Sequence, residues 1–599
     1  MRRTRAVLIL LLAVLLSACS NTPTTPPPSP AIPTPQAEPT QLVVGVDSIP
    51  SGFNPHLLAN QSPLTTALAT LVLPSVFRPD AQGALQLDPT IATSATVTST
   101  NPFTVSYELN LEAAWSDNAP IAAEDFVYLW ERMRGDPGTT DAAGYRLITD
   151  VRSRAGGKAV DVVFSHAYPG WKGLFSDLLP AHLLKDAPGS WTGALVGGLP
   201  SSGGPFKVIS VDRARGDVLL ARNDAYWATP TVLDQLDFRR LDAAGTAAGL
   251  ASGDVDVALP EADQAVRAAL GGLAPAPRVQ NAPEPFVTEL GLRGDTGPVS
   301  DVRVRQALGA IIDRDAVRAA VAPESLPADA FGLAPSQPGY APTARAGAPA
   351  RPDPTAAAQL LAAAGWKRNL TTGRWDLPSG RPAQLVIGAA AERTEDVQVA
   401  QIVAKQLDTA GITATVVAPP AVDLFGGQAT VPATPPSTTA VPTPTAITPE
   451  PTPTSTPSPP AASATGTPTT SPSPSGGGAR VDLMVLPRTV GGDLGTELSS
   501  DYGCPQPTSL VPDPPRGPTG FCFPALQPLF DELTGPDPRP NLTATVEQLL
   551  WQQVPALPLF QPVTLVVSTP ASDAATGIGP GPLATGPVTG AQGWRVSSR

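Results

Sequence analysis

Cys19 closes the string Leu16-Ser17-Ala18-Cys19, and a thiol in that setting points to lipid chemistry. Arg2, Arg3 and Arg5 form a basic tip, and the apolar run Ala6 to Leu16 is shorter than the roughly 20 residues a membrane-spanning helix needs. Ser17 and Ala18 supply the small side chains a signal peptidase requires. The reading is a signal peptide over residues 1–18, followed by acylation of the Cys19 sulfur and anchoring at the extracytoplasmic face of the cell membrane. In that compartment disulfides persist, so the remaining cysteines, Cys504 and Cys522, are expected to be bonded. Closing a loop of that length is worth about 3 kcal/mol in the chain-entropy model. The three histidines, His56, His166 and His182, show no metal-ligand spacing, so no metal and no cofactor are expected. Glu124 and Asp125 are carboxylates side by side, but helix neighbours diverge, and a first turn favours acids for its dipole alone. With no Gly-x-Ser-x-Gly elbow either, no catalysis is expected.

The rest of the chain must position whatever these residues serve. Removing residues 1–18 takes three arginines, so 39 basic against 52 acidic side chains become 36 against 52. That balance argues against nucleic acid as a partner, and it leaves the membrane connection to the acyl chains. Residues 19–40 are rich in Pro, Thr and Ser and read as an extended tether. A second such tract, 429–478, lies between AVDLFGG and RVDLMVLP, two pieces of one domain. It is therefore an insertion, expected to be disordered or polyproline II, and tolerated because loop closure cost grows only logarithmically with length. Its blander role is a solvent-exposed excursion; O-mannosylation or a wall-spanning spacer is the sharper alternative.

Between the tracts, strand-like runs occur at Leu42 to Val46, Phe103 to Leu109, Ala159 to Phe164, Val218 to Leu220 and Leu385 to Ile387. Helical spacing joins Phe126, Leu129, Trp130 and Met133, and likewise Val304, Leu308, Ile311 and Ile312. Asp353-Pro354 opens a further helix that Gly365 ends, and another carries Val399, Ile402, Val403 and Leu407 before Gly411 and the strand ITATVV. The class is mixed α/β.

Four segments then fall in a telling order. Tyr107 to Trp130 runs from a strand through Asp117-Asn118-x-Pro into a helix; Gly203-Gly204-Pro205-Phe206 precedes Asn223-x-x-Tyr226-Trp227; Gly253-x-x-Asp256 follows; Val304-Arg305-x-Ala307 ends at Asp313-Arg314. Together they resemble the family 5 extracellular solute-binding proteins, the peptide and nickel class that serves ABC importers. Asn118 stands where the family has Gly, and Asn is the best substitute for a turn residue at positive φ. Ala122 stands where the family has a capping Thr, at a cost of about 1 kcal/mol. GFNPHLL, LVLPSVFRPD and the Tyr502-Gly503-Cys504-Pro505 string resemble an actinobacterial branch of lipoproteins, one associated with phosphatidylinositol mannoside and lipoarabinomannan assembly.

The resemblance implies a type II two-lobed binding-protein fold with an extra subdomain in the first lobe. By analogy the first lobe spans 41–270, the second 275–545, and 546–599 returns to the first. It implies a monomer that encloses a small molecule, peptide or glycolipid between its lobes and meets an ABC permease, or else a non-transport role in envelope assembly. Candidate ligand contacts are Asn54 and His56 in the first crossing loop, and Tyr145 and Trp171 as aromatic surfaces. The alternatives are a strand-capping turn at Asn54-Pro55 and a core position for Trp171.

Overall fold

The computed structural model describes residues 39–596 apart from 296, 348, 427–429 and 432–478. Residues 1–38, with Cys19 and the tether, and most of the 429–478 insertion lie outside the described residues. Two large sheets organise the chain. The first has seven strands in the order Arg278–Pro283, Val563–Ser568, Val257–Leu259, Gln41–Val46, Gln235–Arg240, Asp217–Arg222 and Phe206–Asp212. The second has six, in the order Leu326–Pro327, Ala556–Gln561, Phe286–Leu292, Leu483–Thr489, Gln384–Gly388 and Thr413–Val417. A four-stranded antiparallel sheet, Ala92–Thr100, Phe103–Leu109, Ala159–Phe164 and Ile148–Arg154, packs into the first lobe's core and forms the extra subdomain.

The chain passes between the large sheets twice, at Pro283 to Phe286 and at Gln561 to Val563. Both passages fall later in the sequence than the 270–275 and 545–546 boundaries expected by analogy, because Arg278–Pro283 pairs with Val563–Ser568 in the first sheet and Ala556–Gln561 pairs within the second. The passages are stitched together: Glu284 N donates to Pro562 O at 2.9 Å, and Gln561 Nε2 donates to Glu284 O at 2.8 Å. Pro283, Pro285 and Pro562 restrict φ at both passages, so bending is confined to few bonds. The insertion leaves from Thr430–Val431 and returns at Ala479–Arg480, two short strands that pair antiparallel, so its ends meet as an excursion requires.

The family segments prove to be structural staples. Asn118 has φ 70°, the conformation its substitution for Gly predicts. Ala122 offers no side-chain cap to the Ala123–Gly135 helix, but Asp125 Oδ2 accepts from Ala122 N at 2.9 Å, while Asp125 Oδ1 accepts from Ala181 N. Trp115 Nε1 adds a third donor to this buried carboxyl, whose pKa desolvation still pushes up to about 6. Gly204 has no room for a Cβ, which would sit 2.3 Å from Leu71 O. Asp256 accepts from Val43 N, and Arg305 donates to the carbonyls of Val299, Ser300 and Gln553. Arg314 donates to Ala328 O, Pro558 O and Ala350 O and pairs with Asp329 at 2.7 Å. Cys504 and Cys522 are joined, with Cα atoms 4.9 Å apart.

Candidate functional site

The two lobes meet along a seam that begins at the hinge, and the side chains crossing it come from segments far apart in sequence. Ala143 N donates to Ser500 Oγ at 3.0 Å, Tyr168 OH and Thr496 Oγ1 lie 2.6 Å apart, and Arg146 Nη2 donates to Pro515 O at 2.8 Å. Gly138, at φ 74°, lets the first lobe approach so closely that a Cβ there would lie 2.8 Å from Phe425 O.

At the Ser500 end the seam holds buried charge. The second-sheet strands Phe286–Leu292 and Leu483–Thr489 place Glu289 opposite Leu486 and set Arg488 beside it, so that Arg488 Nε donates to Glu289 Oε1 at 2.7 Å. Tyr502 OH donates to the other oxygen of Glu289 at 2.9 Å. That exhausts the guanidinium's carboxylate pairing, for its Nη2 goes to Gly332 O and its Nη1 is buried without an acceptor. Around it stand Glu497 and Asp501 on the Leu494–Tyr502 helix and Asp141 from the first lobe, whose Oδ2 accepts from Thr489 Oγ1 at 3.2 Å. Four carboxyl groups thus share one guanidinium. Burial, then Asp141, pushes Glu497 up to about 8; burial, with Asp493 repelling it, pushes Asp141 up to about 6; and burial, with Asp141, Glu289 and Glu497 beside it, holds Asp501 well above the ordinary range. Asp141 is also held at φ 52°, a strained backbone for a non-glycine residue.

At the hinge end, Arg393 pairs with Asp396 at 2.6 Å, donates to Gln61 O of the first lobe at 2.9 Å and lies over the Phe286 ring at 5.2 Å. Glu284, buried in the hinge itself, accepts from Thr564 Oγ1, and desolvation followed by Glu261 and Asp47 pushes it up to about 8. A small cavity adjoins it, lined by Leu64, Ala67, Phe238, Leu259, Pro283 and Glu284 among others. Among the described residues no group of three or more His, Cys, Asp and Glu is arranged to hold a metal ion.

The four residues singled out from sequence are all buried in the first lobe. Asn54 Oδ1 accepts from His56 N at 3.0 Å, the turn geometry that its sequence also allowed, while Asn54 Nδ2 is left without an acceptor. His56 stacks on Trp191, and its Nε2 reaches Asp177 O at 2.9 Å, which assigns the proton to that nitrogen; burial lowers its pKa against the pull of Asp177. Tyr145 OH accepts from Phe175 N at 2.8 Å. Trp171 packs edge-on to Phe77 at 5.5 Å and Tyr107 at 6.2 Å. His56 and Tyr145 therefore converge on one loop, in which Phe175 and Asp177 both carry positive φ, and they brace it. The seam acids were not among the residues chosen from sequence, although Arg488 and Glu289 stand out as charges inside apolar strands.

Two α/β lobes joined by paired hinge passages and meeting at a polar seam have the architecture of binding proteins that close over a ligand. The model for bacterial extracellular solute-binding proteins, family 5, matches residues 86–433, and the chain belongs to that family. The chain is 34% identical, over 95% of its length and 94% of the relative's, to the probable monoacyl phosphatidylinositol tetramannoside-binding protein LpqW of Mycobacterium tuberculosis. It is 28% identical to the oligopeptide-binding protein OppA of the same species, over 46% of this chain and 47% of the relative. The oligopeptide-binding protein AppA of Bacillus subtilis, solved with a nonapeptide, shares the fold at TM-score 0.68, 15% identity and coverage of 94% and 100%. The murein tripeptide-binding protein MppA of Escherichia coli does so at TM-score 0.63 and 16% identity, over 94% of this chain and 99% of that one.

Proposed function

We propose that the chain is a lipid-anchored, extracytoplasmic solute-binding protein of an ABC importer that closes its lobes over a peptide or similar solute bearing a positive group. The observation that carries this reading is the carboxyl surplus around Arg488 at the seam. Buried carboxyl groups that outnumber the cations beside them are costly to ionise, and a cationic group entering between the lobes relieves that cost only in the closed form. Closure then presents a single surface to a membrane permease, with Cys19 as the anchor. Asn54, His56, Tyr145 and Trp171 act in this reading by holding the first-lobe wall. Alanine at Asn54 and Trp171 should lower ligand affinity, and unchanged affinity would remove them from the site.

A second reading, a non-transport role in phosphatidylinositol mannoside and lipoarabinomannan assembly, is favoured by the near full-length similarity to LpqW. Charge distinguishes the two ligands where the seam groups are ionised: a phosphate placed about 4 Å from an ionised carboxylate meets a repulsion of roughly 4 kcal/mol at an effective dielectric of 20, whereas a cation is attracted. Mass spectrometry of ligand retained by protein from its native host decides. A cationic peptide supports import, whereas a mannosylated phosphoinositide would end it.

A further inference from the structure

The last part of the chain touches both lobes. Ile578, Val588, Ala591 and Trp594 are buried in the first-lobe core, and the short helix Pro587–Gly593 packs on the helix Pro63–Val72. Between Ile578 and Val588, Leu583 leaves that core and packs against Val287, Ala328, Ala334 and Val490, all second-lobe residues. Gly491, at φ 105°, has no side chain to bar it: a Cβ there would lie 3.4 Å from Leu583 Cδ2. Val490 and Gly491 follow the strand Leu483–Thr489 and lead into the helix Leu494–Tyr502, which carries Glu497, Ser500 and Asp501. Leu583 therefore grips the root of the helix that brings acids to the seam.

The sequence around Leu583, GIGPGPLATGP, builds a stiff finger and not a slack tail. Pro580, Pro582 and Pro587 restrict φ, and Thr585 N and Gly586 N both donate to Pro582 O, at 3.1 and 2.8 Å. The two legs of this turn run so close that a Cβ on Gly581 would lie 2.0 Å from Gly586 O; both glycines have φ 68°. Thr70 Oγ1 ties the second leg to the first lobe by donating to Thr585 O at 3.2 Å. Among the described residues no hydrogen bond or ion pair joins 579–586 to the second lobe, so the grip there is apolar contact alone. Contact of that kind weakens steeply over about an ångström of separation, which makes it reversible.

We propose that residues 577–587 form a strap whose Leu583 knob latches the lobes closed, and that opening for a solute begins with withdrawal of the knob from the second-lobe cluster. The strap also walls the small hinge-side cavity, where Leu583, Thr585 and Pro587 line the same space as Pro283, Glu284 and Pro285. Knob and hinge passage are therefore neighbours, and rotation about the hinge shears the one contact the knob makes. Leu583 is half-buried, and burial of part of one leucine side chain shifts the closed-to-open ratio by about tenfold.

The latch acts whichever solute the cleft takes, so its test needs no ligand. Amide hydrogen exchange of the purified full chain reads it, because Ala143 N donates across the seam to Ser500 Oγ and loses that acceptor when the lobes part. In Leu583→Ser the Ala143 amide should exchange about tenfold faster, while the amides of the first-sheet strand Gln41–Val46 keep their rates. Val490→Ala should act likewise from the other lobe, and the double variant should add little to the faster single one, since both remove one contact. A folded Leu583→Ser chain whose Ala143 amide exchanges at the wild-type rate overturns the proposal, as does a double variant whose effects multiply. An equal rise along Gln41–Val46 would mean general destabilisation and overturns it too. If one single variant does not fold, the other decides.

Discussion

The buried charges in the family segments and those along the seam obey opposite rules. Asp125 accepts from three N–H donors, Arg305 donates to three carbonyls, and Arg314 serves three carbonyls and a carboxylate. Each holds three or more partners, so each specifies one geometry inside one lobe. Around Arg488, four carboxyl groups share one guanidinium, and at the hinge Glu261, Glu284 and Glu395 share Arg393, which is itself paired with Asp396. Such groups gain from separation, protonation or an incoming cation, and so they bias a two-state element rather than fix it. The residues that identify the family build the lobes; the residues between the lobes are where a ligand and pH can act.

The largest test of this contrast is Arg314→Met. It deletes four donated bonds and leaves Asp329 with Arg351 at 2.9 Å as its remaining cation. Breaking so enclosed a pair should cost about 3–5 kcal/mol in denaturant unfolding. A loss below about 1 kcal/mol would mean that saturation does not carry the fold, and the contrast would dissolve.

The saturated half was legible in the sequence because its signals are local. Asp117-Asn118 announces a positive φ, Asp353-Pro354 a capped helix start, and Gly365 and Gly411 the ends of two helices, and the backbone adopts each. The seam was not legible, since Asp141, Glu289, Arg488 and Glu497 are brought together by pairing and lobe contact across hundreds of residues. No periodicity links them. The hint that exists is a charge within an apolar strand, as in FVTELGL and LMVLPRT, and it marks burial without naming a partner. In the sequence His56 is a titratable group in a crossing loop and Tyr145 an aromatic surface; the fold employs them to brace the strained Phe175 and Asp177, while Trp171 packs on Phe77 and Tyr107.

A second test changes the sign of the effect. Glu497 is pushed from an ordinary carboxyl value up to about 8 in the folded chain, chiefly by burial and then by Asp141. A group raised in the folded state contributes fully below its unfolded pKa and loses that contribution as pH climbs to the folded one. Unfolding free energy should therefore fall between about pH 5 and pH 8, by an amount of order a few kcal/mol for a group this buried. Glu497→Gln should flatten that slope and leave the chain more stable than wild type at pH 8.5, the reverse of the Arg314 result. An unchanged slope in urea titrations run at several pH values would remove Glu497 from the starved set.

The smallest effect probes an incomplete fitting within the first lobe. At Ala122 the capping arrangement is half made: Asp125 reaches back to Ala122 N, but position 122 has no oxygen to accept from the first helical turn. Its backbone is already extended, at φ −146° and ψ 175°, so Ala122→Thr requires no rearrangement. The added hydroxyl should raise stability by about 0.5–1 kcal/mol, read as a higher midpoint in urea. Because the cap lies within one lobe and away from the acid clusters, the gain should be the same at pH 6 and pH 8.5. A gain that varied with pH would show that the helix carrying Asp125 is coupled to the seam, and the separation of lobe-building from lobe-closing charges would have to be redrawn at that helix.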